Sequence, residues 1–218
     1  MNATGERTEL LDLFARAGRM VIERPMVFIP AVIPSFWAFI APISGLINPA
    51  FTASYIRFGP GAWRLLGYLL VYIVLLAISQ GATVVMVRNL AGGEKADLAS
   101  GFGEAFARVG PLLGASFTEG VIISLASLLL VFPGLVAAFF LWFVVQSVVI
   151  DSESVLGALR SSFRLVATYP GETFLIILAT LIVGFALGSI PVVGGLLMIP
   201  VTTYFVTLST LFYLGRET

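Results

Sequence analysis

The sequence contains no cysteine and no histidine. The first absence excludes disulfides, thiol catalysis and palmitoylation. The second excludes imidazole metal sites and histidine acid–base chemistry. Charge is scarce as well: only 11% of the 218 residues are Asp, Glu, Lys or Arg, where soluble domains carry about 25%. Twelve basic residues balance twelve acidic ones, so no net field favours nucleic acid or another polyanion. Nucleotide loops, metal motifs and nucleophile elbows are missing, and the loop acids Asp97, Asp151 and Glu153 form no recognisable pair. These absences point away from an enzyme and predict no cofactor and no metal. Residues 1–25 hold Glu6, Glu9, Asp12 and Glu23 without an apolar core, so they do not read as a signal peptide.

Apolar sequence is abundant, at 59%. A helix crossing the hydrocarbon needs about 20 apolar residues. Six segments approach that: Met26–Asn48, Leu65–Val87, Pro111–Phe132, Gly134–Ile150, Pro170–Ile190 and Gly194–Leu214. Gly134–Ile150 is the shortest and reads either as a span or as one arm of a re-entrant hairpin. Pro133-Gly134 and Pro191 read as tight turns between helices, and Pro30, Pro34 and Pro42 predict an irregular first span. The fold class is therefore all-α, a polytopic membrane bundle of six spans forming three hairpins.

Ten basic residues, Arg7, Arg16, Arg19, Arg24, Arg88, Lys95, Arg108, Arg160, Arg164 and Arg216, fall on one side of this topology. Only Arg57 and Arg64 fall on the other. The positive-inside rule then places both termini in the cytoplasm, and the short chain suits the cell membrane of a prokaryote. The exported loop Pro49–Trp63 offers Tyr55, Arg57 and Trp63 as interface anchors.

Each hairpin is preceded by an amphipathic stretch. Leu10, Phe14, Ala17 and Val21 share a face in the first, Phe102, Ala105, Phe106 and Val109 in the second, and Val155, Leu156, Leu159, Phe163 and Val166 in the third. They read as interfacial helices or as the cytoplasmic starts of the spans that follow. A single membrane domain over 1–218 then divides into three similar units, 5–90, 97–150 and 152–214. Phe14-Ala15-Arg16-Ala17-Gly18 resembles Phe106-Ala107-Arg108-Val109-Gly110 in support.

Few polar residues interrupt the spans. Glu119 lies about nine residues into the third, where a carboxylate costs roughly 2.5–3.5 kcal/mol. It reads as an ion, proton or substrate site, with Gly114, Ser116, Thr118 and Gly120 leaving room, or as a structural hydrogen-bonding group. Gln80 and Gln146 read as ties between helices or as substrate contacts. Thr203, Thr207 and Thr210 share a face below Pro200 and either back-bond to their helix or line a pathway. Glu172 suits the dipole of a helix start, and Asp151-Ser152 reads as a cap for the next helix. Gly184 and Gly188 form a GxxxG, a packing point within the chain or between copies.

At Phe132-Pro133-Gly134, Val149-Ile150-Asp151 and Ala158-Leu159-Arg160-Ser161-Ser162 the chain resembles the membrane domains found beside some glycerophosphodiester phosphodiesterases, together with related small multi-pass proteins. The resemblance spans roughly residues 99–214. It implies a six-span bundle and a role in membrane or envelope organisation. It carries over no catalytic residue, because the phosphodiesterase domain is missing. The expected function is thus non-enzymatic, exercised through membrane lipids, a partner protein or a homo-oligomer. The alternative is a small transporter or channel with Glu119 in its pathway.

Overall fold

The computed structural model describes residues 3–43, 60–190 and 193–216, which are helices joined by short turns and irregular connections, without a strand among them. Helix α1 (Ala3–Glu23) ends at Arg24, where the following Pro25 disfavours helical dihedrals. A 3₁₀ turn (Pro25–Phe28) leads into α2 (Ile29–Ile43). Residues 9–23 and 25–38 meet at 95°, so α1 turns away from the first span instead of starting it. The irregularity expected at Pro30, Pro34 and Pro42 falls at Pro25, and α2 runs through the three later prolines. Residues 44–48 of that expected span, with Tyr55 and Arg57 of the exported loop, lie outside the described residues.

Helix α3 (Pro60–Ala91) is the longest, and it stops at Gly92-Gly93, where Gly93 takes a positive φ of 84° that favours glycine. Helix α4 (Leu98–Ala107) starts on Asp97, whose carboxylate accepts from the Ser100 N–H at 2.9 Å. Helix α5 (Val109–Leu129) ends at Leu130, whose extended backbone (φ −164°, ψ 152°) makes the turn into α6 (Val131–Phe140). The turn thus precedes Pro133-Gly134 by three residues. Pro133 sits in the first turn of α6, where its missing N–H has no helical acceptor to lose. Helix α7 (Val144–Ile150) continues α6 after a break at Leu141–Phe143, and together they give a 20-residue span. Helix α8 (Val155–Thr168) is capped by Ser154, which accepts from the Gly157 N–H at 3.4 Å. Asp151 is not the cap; its carboxylate accepts a hydrogen bond from the Tyr213 hydroxyl. Helices α9 (Pro170–Gly188) and α10 (Val193–Arg216) complete the chain, with Pro200 inside α10. The expected turn at Pro191 lies outside the described residues.

The hairpins are α2–α3, α5 with α6–α7, and α9–α10. The central windows of α3 and α10 are 56% and 50% buried, against 11% for α5 and for α9. Met86, Phe143, Val166, Ile176, Leu208 and Phe212 form the main core. Phe117, Leu125, Leu181, Ile182 and Phe185 project from α5 and α9 into the surroundings. Such a continuous apolar exterior on spans of this length is stable only in lipid. The protein is membrane-embedded.

The polar contacts gather at one end. Arg88 at the end of α3 and Arg108 before α5 both pair with Glu104 of α4, at 2.7 and 2.9 Å. Arg108 also donates to the Val148 and Val149 carbonyls at the end of α7, which lack helical partners there. Arg216, ending α10, approaches Glu9 of α1 at 3.5 Å and Glu172 at the start of α9 at 3.8 Å. Its guanidinium lies 4.7 Å from the Tyr169 ring centre. Glu172 therefore combines its helix-start position with an ion pair.

Candidate functional site: an intramembrane cleft

The sparse polar residues of the spans converge. Gln80 of α3, Glu119 of α5 and Gln146 of α7 line one partly open cleft of about 380 Å³. Helical spacing explains each wall. Leu76, Gln80 and Val84 follow one another at four-residue steps along α3, and Ser116 lies one turn before Glu119 on α5. Thr180 and Gly184 face the cleft from α9, and Met198, Thr202, Phe205, Val206 and Ser209 from α10.

The break between α6 and α7 places the fifth wall. At a break, helical N–H and C=O groups lose their partners. Ser162 of α8 replaces them, accepting from the Phe143 N–H at 3.1 Å and donating to the Phe140 carbonyl at 2.9 Å. Between these two residues, Trp142 turns into the cleft and donates through its indole N–H to the Ser209 hydroxyl at 3.2 Å. Val145 and Gln146 lie one turn further on.

The electrostatics of the cleft are one-sided. Among the described residues Glu119 is the only charged one in the lining, and its carboxylate makes no hydrogen bond and no ion pair there. Gln146 is 5% exposed, and its carbonyl oxygen Oε1 is buried without a hydrogen-bond partner. Such an unpaired acceptor costs about 1–3 kcal/mol. Among the described residues no three acids gather as a metal site would require.

The predicted threonine stripe lies elsewhere. Thr203 lines an adjoining cavity of about 170 Å³, which shares Leu76, Gln80, Met198, Thr202 and Val206 with the cleft. Thr207 lines neither and is fully buried with its hydroxyl unpartnered. Thr203 and Thr210 back-bond to the Ile199 and Val206 carbonyls at 3.0 and 2.7 Å. The stripe that faces the cleft is Met198, Thr202, Phe205 and Ser209, rotated one residue around α10. Of the two glycines, Gly184 lines the cleft. A Cβ built on either would meet nothing within 4 Å, so neither is a close-packing point within the described chain.

A family model described as "Domain of unknown function (DUF7847)" matches residues 62–214, more than two thirds of the chain. The chain belongs to that family. The matched segment contains every residue that lines the cleft, whereas α1 and α2 lie outside it. The adjoining cavity takes part of its wall, Ala31, Pro34 and Ser35, from that unmatched part. No curated protein and no solved structure matches the chain.

Proposed function

We propose that this protein is a non-enzymatic transporter or carrier of a prokaryotic cell membrane, with both termini in the cytoplasm, that holds a small ligand in its intramembrane cleft. The observation carrying this reading is that Glu119, Gln80 and Gln146, from three different spans, line the same cleft. Purely structural polar groups in hydrocarbon pair with one another. Glu119 has no such partner among the described residues, and the Gln146 carbonyl oxygen has none either. The ten basic residues assigned to the α1, α4 and α8 side support the orientation. No nucleic-acid role is proposed.

The absence of native cysteine makes the test clean, because any introduced Cys is the sole thiol. Glu119→Cys in proteoliposomes reacts with a small membrane-impermeant methanethiosulfonate, while Phe117→Cys, on the exposed lipid-facing side of α5, does not. Labelling of neither, or of both equally, rejects a solvated cleft.

A second reading, membrane organisation through lipid, has its own observation. An open groove of about 590 Å³ along α8 presents Arg160 and Arg164 beside Leu156 and Phe163. Leu156 and Phe163 are exposed, and among the described residues neither arginine enters an ion pair. Basic side chains beside exposed apolar ones suit an interfacial helix on anionic lipid, in keeping with the resemblance to envelope-associated membrane domains. Thermal stabilisation by phosphatidylglycerol over phosphatidylcholine, abolished in Arg160→Ala/Arg164→Ala, is the expected result. Equal stabilisation by the two lipids counts against it.

A further inference from the structure

We infer that the ligand of the cleft is an organic cation with an apolar, ring-sized body, an inference that rests on the cleft being a ligand site. The charge of the lining decides the sign. Among the described residues Glu119 stands without a basic neighbour in the lining, so an anion would place two like charges together in a poorly screened site, whereas a monocation leaves the pair neutral.

Beside that carboxylate, Gln80 and Gln146 bring side-chain amides to the lining, groups that both donate and accept. The size suits an organic molecule better than a bare ion: about 380 Å³ falls in the range of small-molecule pockets, roughly 300–1,000 Å³. A single carboxylate is also too few ligands for a divalent metal. The rest of the lining is mostly apolar apart from the hydroxyls of Ser116, Thr180, Thr202 and Ser209, and Trp142 and Phe205 supply aromatic faces to a flat ring or to the cation itself.

Access follows from the packing. Helices α5 and α9 both line the cleft, yet no packed interface joins them among the described residues. They are also the two least buried spans. A ligand that partitions into lipid reaches Glu119 through that gap without crossing the bundle.

The test uses three probes sharing one ring: 2-(naphthyl)ethylammonium, its uncharged N-acetyl derivative and naphthylacetate. Binding is measured by calorimetry on the full chain in nanodiscs. The ammonium is expected to bind at least about 30-fold more tightly than either of the others, as loss of one partner of a desolvated charge pair implies. Glu119→Gln removes that preference, while Glu119→Asp, which keeps the charge, retains most of it. Melting temperatures of both variants control for folding. Binding of the neutral or anionic probe as tightly as the ammonium, or ammonium affinity unchanged in Glu119→Gln, overturns the cation assignment and leaves a ligand cleft standing. Failure of all three probes overturns the cleft reading itself.

Discussion

The Glu104 carboxylate accepts two hydrogen bonds from the Arg88 guanidinium, at 2.7 and 2.9 Å, across sixteen positions of sequence. The same carboxylate pairs with Arg108 at 2.9 Å. One acid therefore joins the end of α3, helix α4, the start of α5 and, through Arg108, the end of α7. That junction closes the charged end of the bundle nearest the cleft's α3, α5 and α7 walls.

Acid should loosen this junction. Hydrogen bonding from Arg88, then the charges of Arg88 and Arg108, hold the Glu104 carboxyl below its ordinary value of 4.5 against the opposing effect of burial. A carboxyl lowered on folding contributes stability that is fully present above its unfolded value and is lost as pH falls through the folded one. The contribution is thus intact above pH 4.5 and disappears below it. Thermal melting of wild type in detergent should fall over that acid range, and Glu104→Gln should flatten this part of the profile. An unchanged acid limb in Glu104→Gln would remove the assignment.

At neutral pH Glu104→Gln should cost about 1 kcal/mol. The pair is one-quarter exposed on each side, which limits the loss to that of a partly screened, hydrogen-bonded ion pair. Glu153→Gln, whose carboxylate accepts among the described residues a single hydrogen bond, from the Ser161 hydroxyl at 3.1 Å, should cost less than about 0.5 kcal/mol. If both substitutions lower the melting temperature equally, the junction has no special weight.

Ser162→Ala should cost about 1–3 kcal/mol, because it leaves the Phe143 N–H and the Phe140 carbonyl unpaired at the α6–α7 break. Ser161→Ala, one residue away and outside the break, is the control. Hydrogen–deuterium exchange at Phe143 should accelerate only in Ser162→Ala. Equal protection in the two variants would show that the break is satisfied by other means.

Gly184→Leu should occlude the cleft without unfolding the chain. A Cβ at this position meets nothing within 4 Å, and leucine favours helix over glycine by about 0.8 kcal/mol. Ligand or probe affinity should drop at least about tenfold while the melting temperature holds or rises. Gly101→Leu offers the contrast. Its Cβ would lie 2.8 Å from the Met86 side chain and 3.3 Å from the Ala82 carbonyl, so overpacking of about 1–3 kcal/mol is expected there.

The spans were legible because hydrophobic length is the dominant signal in lipid. Glu119, Gln80 and Gln146 stand out in the sequence as costly polar groups in apolar runs, and the structure brings the three to one cleft. The errors lie where the backbone supplies the signal. Pro133-Gly134 looks like a turn, yet proline is equally at home in the first turn of a helix, and Leu130 bends instead. Thr202, Thr203, Thr207, Ser209 and Thr210 put hydroxyls on several faces of α10. Composition alone gives no reason to choose the Thr202–Ser209 face over the Thr203–Thr210 face. Trp142 and Thr180 carry no motif and join the cleft only through tertiary packing. Ser154 capped α8 in place of Asp151 because the Tyr213 hydroxyl had engaged the aspartate from α10, a contact sixty-two residues distant.

Ser162 gives α8 a mechanical role beyond its surface position. The helix cannot lift from the bundle without stripping partners from the Phe140–Phe143 break, whose residue Trp142 forms a wall of the cleft. Leu156 and Phe163 of the same helix are exposed. The seating of α8 and the shape of the cleft are therefore mechanically linked, through the two hydrogen bonds of the Ser162 hydroxyl.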